Sequence, residues 1–316
     1  MLPIKRLRKM FTGDDRALAE GDDVGSVDAE TGEFELTHVG PYEIVAPCGK
    51  GGMGTVYKAI DRANDRTIAI KVLHRQYDLD RKRRKRDYLG REVLLAGSLS
   101  HPVIIKMHKE VVVQEDRDGN KRRCLLMEYI DGPDLKEYIN HANLDLQQKI
   151  RLCIKLCEGL DFLHQNNIIH RDIKPQNFLF SRDGSQVKIV DFGLSKSSAN
   201  WRTRFMHEGG GTRLYMSPEQ INKKSLDMRS DIFSFGLTMF ELFTGEHPCS
   251  AKDRKMLSKQ IVSPRYKWPR PSEKRPEIPP ALDRIILKAM RRNLDKRYQS
   301  MTELLLDLTR LSESRI

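Results

Sequence analysis

Two short stretches, fourteen residues apart, restrict what this chain can fold into more than any other feature. His170-Arg171-Asp172-Ile173-Lys174-Pro175-Gln176-Asn177 and Asp191-Phe192-Gly193 flank a pair of apolar runs, Phe178–Phe180 and Val187–Val190, joined through Asp183-Gly184. Apolar runs across an Asp-Gly turn predict a β-hairpin. The first stretch follows a helical pattern and the second follows a strand, so both belong to one loop-and-hairpin scaffold. Two carboxylates, an amide and an ammonium converge there. That set suits chemistry in which positioning and charge neutralisation supply most of the catalysis.

The texture of the chain changes along its length. Tyr42–Ala46, Thr55–Ile60 and Thr67–Leu73 are short, β-branched or alternating, and divided by turn residues, which predicts a strand meander. Arg91–Leu99 reads as a helix closed by His101-Pro102. Glu110–Gln114 and Cys124–Tyr129 read as a second hairpin about Asp118-Gly119. From Leu135 the pattern is helical, with Leu144–Gln165, Ser230–Thr244, Pro280–Arg291 and Met301–Leu311 as the main elements. The plan is a strand-rich lobe of about 90 residues and a helix-rich lobe of about 185, hinged near Met127–Gly132. Residues 12–38 are rich in Gly, Asp, Glu, Ala and Ser without a sustained period, and residues 1–38 are expected to be a disordered tail.

Composition removes several classes. The longest greasy stretch, Ile232–Phe243, is broken by Ser234, Gly236, Thr238 and Glu241, so it predicts a buried helix and no integral membrane segment. The basic start (Lys5, Arg6, Arg8, Lys9) is followed by Thr12-Gly13-Asp14-Asp15, which is no export signal. Cys48, Cys124, Cys153, Cys157 and Cys249 have neither zinc-site nor disulfide spacing, and Cys153 and Cys157 lie in the apolar stripe of a helix. A reducing, cytoplasmic compartment is the expectation. The net charge of +12 is uneven, because residues 1–40 hold five Lys/Arg against nine Asp/Glu. Part of the excess is the run Arg81–Arg86. Its plain reading is a solvated charged face; acidic substrates, phosphorylated partners and, least of all, nucleic acid are the other readings. Only Tyr77 and Tyr88 flank it, and no nucleic-acid partner is expected.

Two further features bear on the chemistry. Gly49-Lys50-Gly51-Gly52-Met53-Gly54-Thr55-Val56 lies between two predicted strands. A dinucleotide turn needs a helix next, and here a strand follows, which favours a loop folded over a nucleotide. Lys71, in Ala69-Ile70-Lys71, sits inside an apolar strand, where its charge needs partners. Phosphate oxygens and the carboxylate of Glu92, on the next helix, would supply them. Asp191 and Asn177 offer hard oxygens to Mg²⁺. Asp172 can orient an acceptor hydroxyl and take its proton, while Lys174 neutralises charge on a γ-phosphate.

Taken in order and spacing, these residues resemble the eukaryotic-type (Hanks-type) protein kinase family, over about residues 41–312. The Gly-Gly-Met-Gly loop and Tyr215-Met216-Ser217-Pro218-Glu219-Gln220 are most similar to the bacterial Ser/Thr kinases. The resemblance implies an α+β bilobal protein-kinase fold: an N-lobe (41–130) with an antiparallel sheet and one main helix, and a mainly helical C-lobe (131–316). It implies ATP and Mg²⁺, with Asp172, Lys174, Lys71 and Glu92 catalytic and Asn177 and Asp191 on the metal. Cys48, Gly49, Lys50, Gly51, Gly52, Met53, Gly54, Val56, Ala69, Lys71, Met127, Glu128, Ile130 and Leu179 would surround the nucleotide. By the same resemblance Glu219 pairs with Arg297, Asp231 holds the catalytic-loop backbone, and Lys174 and Thr212 mark Ser/Thr acceptors on protein substrates. The implied activity is that of a non-specific serine/threonine protein kinase. Dimerisation is common in the family, so a homodimer is among the expected partners. The rival reading is a pseudokinase, an ATP-binding scaffold; its usual losses are absent, since Lys71, Asp172 and Asp191 are all present.

Three departures stand out. Cys48 occupies a position usually held by Leu or Ile, and is either a small apolar contact to the base or a reactive thiol that gates ATP. Arg171 before Asp172 suggests activation by a phosphate in the segment 191–219, with Thr203 the expected autophosphorylation site. The acidic tail is a candidate partner for the run 81–86.

Overall fold

The computed structural model describes residues 36–51, 54–74, 93, 96–115, 121–192, 212–249 and 254–314. The expectations placed on Gly52, Met53, Glu92, Thr203, the run 81–86, the 118–119 turn and the tail up to residue 35 lie outside them.

The strands β1 (His38–Val39), β2 (Tyr42–Gly51), β3 (Gly54–Asp61), β4 (Arg66–Leu73), β5 (Met107–Glu115) and β6 (Lys121–Glu128) form one antiparallel sheet in the order β1-β2-β3-β4-β6-β5. β2 runs past the expected end at Ala46. It does so through register shifts at Ile44/Ala46 and Pro47/Gly49, the kind of irregularity that accommodates a proline with no N–H to give the ladder.

Alternation sorts the sheet into two faces. Ile68 and Ile70 of β4 and Cys124 and Leu126 of β6 pack with Ala59 and Val39 in one small core. Ala69, Leu125 and Met127 turn to the other face and join the main core, and Lys71 sits between Val56 and Leu125 on that face. The period of two thus places an ammonium where the interior expects a hydrocarbon. Val39 is completely buried, Ile44 N–H donates to Thr37 O at 2.8 Å, and Gly40 N–H donates to Gln114 Oε1 of β5 at 3.2 Å, so the sheet curls its first strand toward its last.

The second half is helical: α1 (Leu135–His141), α2 (Leu146–Gln165), α3 (Pro218–Ile221), α4 (Arg229–Thr244), α5 (Arg254–Val262), α6 (Pro271–Lys274), α7 (Pro280–Ala289) and α8 (Met301–Glu313), with β7 (Phe178–Phe180) and β8 (Val187–Ile189) forming the hairpin expected between the two motifs. Helix α2 starts at Leu146 rather than Leu144 because Asp145 caps it and Gln148 bonds back to the Asp145 N–H. Its Cys153 and Cys157 are buried and unbridged, as their apolar stripe predicts.

Helix α4 is buried from Ser230 to Thr244 and explains why the greasiest stretch carries polar residues. The hydroxyls of Ser234, Thr238 and Thr244 donate to carbonyls four residues back, and Glu241 is bonded by Lys136 and by the Tyr215 hydroxyl. Phe233, Phe235 and Phe240 are completely buried, each contributing roughly 1.5–3 kcal/mol. Helix α4 is therefore a rigid axle for the loops packed on it.

The linker between the halves is drawn tight. A Cβ on Gly132 would lie 2.3 Å from Phe180 O, so only glycine lets the linker pass against β7. Pro133 O accepts the Phe180 N–H at 2.9 Å, and Asp134 caps α1.

Candidate active site

The stretch 170–177 lies between the end of α2 and β7, and α4 holds it from below. The buried Asp231 carboxylate accepts the His170 N–H at 2.7 Å, the Arg171 N–H at 2.8 Å and His164 Nε2 at 2.8 Å. Burial works to raise this carboxyl's pKa, but His164, His170 and the Arg171 amide outweigh it and hold it below the ordinary range. This grip accounts for the backbone of Arg171, whose φ of 69° is unfavourable for a residue with a side chain and persists only where its surroundings enforce it. From the other side, Gln220 Nε2 donates to Arg171 O at 2.8 Å.

His170 orients the loop after it. Its ring donates from Nε2 to Val190 O at 3.0 Å and accepts the Asp172 N–H on Nδ1 at 3.3 Å. The amide can only donate, so the ring is neutral with its proton on Nε2. Burial pushes its pKa down despite three nearby carboxylates.

Asp172 is 5% exposed. Lys174 Nζ lies 3.1 Å from its Oδ2, and Asn177 Nδ2 lies 3.2 Å from Oδ2 and 2.6 Å from the Asp172 carbonyl. The hairpin β7–β8 then carries the chain to Asp191, which also has a positive φ, 62°. Asp191 Oδ1 lies 2.7 Å from Nζ of Lys71, which is 3% exposed. Thus Asp172, Lys174 and Asn177 form one bonded cluster and Lys71 with Asp191 another, tied by the His170–Val190 bond one residue short of Asp191. The carboxylate expected for Lys71 was Glu92, which lies outside the described residues; the one found is Asp191.

Across the sheet, Ala69 pairs with Met127 and Lys58, and Lys71 with Val56 and Leu125, so one face collects Val56, Ala69, Lys71 and Met127. Ile130 and Leu179, half-buried, pack on the same core. The glycines above divide into two kinds. A Cβ on Gly54 would lie 2.2 Å from Val72 O, whereas one on Gly49 would meet nothing within 4 Å among the described residues beyond its chain neighbours. Gly54 is required by strand packing; Gly49 leaves space for a ligand. Cys48 is exposed, and such burial as its thiol has raises its pKa against the lowering effect of Lys58. A raised thiol holds little thiolate at neutral pH.

Below the loop, the buried Glu219 Oε1 lies 2.8 Å from Arg297 Nη1 and also accepts the Ser230 hydroxyl at 2.8 Å. Burial opposes ionisation of Glu219, but Arg297 and Ser230 overcome it and its pKa is lowered. Gln220 and His164 were not singled out from sequence. The Ser217-Pro218-Glu219-Gln220 capping box, now observed at α3, was the legible signal for Gln220; His164 had none beyond its place near a helix end.

With this geometry in hand, the family profile described as "Protein kinase domain" matches residues 42–307. The chain belongs to the protein kinase domain family. This kinase domain is 33% identical over 275 residues to serine/threonine-protein kinase PknB of Mycolicibacterium smegmatis, a match covering 86% of this chain and 43% of that protein. It is 32% identical over 271 residues to a probable PknB of Lactococcus lactis subsp. lactis, covering 84% of this chain and 41% of the relative. The chain therefore spans less than half the length of these curated relatives. Among solved structures, a double mutant of the PknI kinase domain of Mycobacterium tuberculosis superposes with a TM-score of 0.64 at 23% identity, covering 86% of this chain and 96% of that one, which shows the bilobal α+β fold. Kinase domains of this family use a nucleotide and a divalent metal.

The donor set fits such an ion. Asn177 commits its nitrogen to Asp172, so its side-chain oxygen would be the atom to join the Asp191 carboxylate on an ion. Among the described residues no group of three or more His, Cys, Asp or Glu side chains forms a metal cage. An ion on Asp191 and Asn177 would complete its shell with water and phosphate, which is the habit of Mg²⁺. Among the described residues, no helix is long and apolar enough to cross a membrane.

Proposed function

We propose that the chain is a non-specific serine/threonine protein kinase that transfers the γ-phosphoryl of Mg-ATP to Ser and Thr hydroxyls of proteins. The observation that carries this reading is the Asp172 carboxylate, buried and set beside Lys174 and Asn177, with the Lys71–Asp191 pair at the same open end of the hairpin, where Phe178 pairs with Ile189. Asp172 would accept a hydrogen bond from the acceptor hydroxyl and take its proton as the bond to phosphorus forms. Lys174, within reach of the same carboxylate, would neutralise charge on the transferred group. Lys71 would hold phosphate oxygens, and Asp191 and Asn177 would hold Mg²⁺, which when bound neutralises the phosphates. Val56, Ala69, Met127, Glu128, Ile130 and Leu179 would receive the base beneath the loop that begins at Cys48-Gly49-Lys50-Gly51. The assembled Lys71, Asp172 and Asp191 speak against a pseudokinase. The five unbridged cysteines support a reducing, cytoplasmic setting.

The test is transfer of ³²P from Mg-ATP to a generic basic protein, followed by phosphoamino-acid analysis. Phosphoserine and phosphothreonine are expected; phosphotyrosine alone, or no incorporation, would overturn the proposal.

A further inference from the structure

Strand β8 carries a charge that the proposed chemistry leaves unused. Val187 and Ile189 turn into the core at 2% and 0% exposure, and Lys188 faces the other way as the cross-strand partner of Leu179. Its side chain is 11% exposed, and its Nζ lies 2.9 Å from Oε1 of Glu128, the last residue of β6. A largely buried ammonium persists only where a partner compensates it, and Glu128 is that partner.

The same carboxylate oxygen accepts the Lys106 N–H at 2.7 Å, and the Glu128 N–H donates to Lys106 O at 2.9 Å. Next to Lys106, the Ile105 N–H donates to Ile189 O at 3.1 Å, while the Ile189 N–H donates to Val103 O at 2.6 Å. These bonds close a ring through the end of β6, the segment Val103–Lys106 and β8. One side of the ring is the Met127–Glu128 edge, where the base would lie. The other side ends two residues before Asp191.

We propose that Lys188 is a positioning residue for the nucleotide: by holding Glu128 it keeps the base-binding edge of β6 in register with Asp191 at the phosphate end. This inference rests on the nucleotide-binding reading given above. A nucleotide touching both ends needs them in register before it binds, so a loosened ring must be ordered during binding. Once bound, the nucleotide itself bridges the two ends. The cost therefore falls on affinity rather than on the transfer step. A plain structural ion pair would change the melting temperature and leave affinity alone.

The experiment uses the full chain as wild type, Lys188→Met, Lys188→Arg, Glu128→Gln and the Lys188→Met/Glu128→Gln double variant, with Mg-ATP as the probe. Calorimetric Kd, steady-state KM and kcat, and melting temperature are measured. Lys188→Met is expected to raise Kd and KM about five- to tenfold with kcat within about twofold, and Glu128→Gln to raise Kd similarly. The double variant should bind no more weakly than either single one, because both remove the same link. Lys188→Arg should restore wild-type affinity to within about twofold, since it keeps the charge. If Lys188→Met does not fold, Glu128→Gln and Lys188→Arg decide by the same criteria. A folded Lys188→Met or Glu128→Gln variant that binds Mg-ATP as wild type does would overturn the positioning role alone. A wild type that binds no nucleotide would overturn the kinase reading, and this inference with it.

Discussion

Lys71 and Asp191 stand 120 positions apart in sequence, yet Nζ and Oδ1 approach to 2.7 Å, with the lysine almost wholly buried. A β-strand of the sheet domain and the residues just after the hairpin of the helical half meet in this one ion pair. The Asp191 carboxylate, its side chain 28% exposed, compensates the buried ammonium. Lys71→Met should therefore remove a phosphate-binding charge and leave Asp191 without this partner. Activity should fall about 10²-fold or more, while circular dichroism remains that of a folded protein. A Lys71→Met variant with kinetics within twofold of wild type would count against the role given to the pair.

The glycine-rich loop allows a sharper separation of folding from binding. Gly54→Ala forces a Cβ to within 2.2 Å of the Val72 carbonyl, at the end of the β3–β4 ladder where Gly54 pairs with Leu73. Gly49→Ala meets nothing within 4 Å among the described residues beyond its own chain neighbours. The first should lower the melting temperature by several degrees, the order expected for about 1–3 kcal/mol of overpacking. The second should leave the melting temperature alone and weaken ATP binding. Thermal melts with and without Mg-ATP distinguish them, and equal effects on both properties would contradict the assignment.

Glu219 and Arg297 offer a stability test. Both are buried, and Arg297 Nη1 also donates to Arg229 O at 2.6 Å. Arg297→Met strands a buried carboxylate and should cost about 3–5 kcal/mol. Breaking the exposed pair Arg310–Asp307, at 3.7 Å, should cost under about 1 kcal/mol. Urea unfolding of Arg297→Met and Arg310→Met reads both. Comparable losses would mean that the buried pair is not the brace it resembles.

Three histidines set the acid limit. His101, His170 and His247 each accept on Nδ1 the N–H of the residue two positions on, namely Val103, Asp172 and Cys249. Burial lowers the pKa of all three. Folded-state pKa values below the unfolded value near 6.5 mean that the unfolded chain binds protons first as pH falls. Stability from these groups is thus intact above about pH 6.5 and declines below it. Glu219 and Asp231, also lowered, add a further loss once the pH approaches the carboxylate range. Melting temperature should drop between pH 7.5 and 5.5, and His247→Gln should flatten that slope. A melting temperature independent of pH over this range would contradict the neutral-ring assignment.

Much of this was visible in the sequence where side-chain periodicity meets burial. Ile68 and Ile70 against Ala69 and Lys71 is a two-residue alternation that reads directly as a strand with a functional face. Ser230–Thr244 reads as a buried helix even with Glu241 in it. The motif at 170–177 and Asp191 were legible because a hairpin of fixed length joins them. What escaped depends on tertiary closure. Strand β1 has one apolar residue, Val39, after an acidic stretch, and only the curled sheet buries it. Lys188 looks like any polar position of an alternating strand, and nothing in its neighbours announces Glu128 sixty residues earlier. His164 finds Asp231 across 67 positions, a distance no local pattern encodes.

The proposed role of Asp172 in phosphoryl transfer is tested by Asp172→Asn, assayed for both transfer and ATP affinity. The variant should show a fall in kcat of about 10²- to 10⁴-fold, with Kd for Mg-ATP within a few-fold of wild type, because the amide keeps the shape and loses the base. An Asp172→Asn chain that phosphorylates protein at the wild-type rate would contradict it.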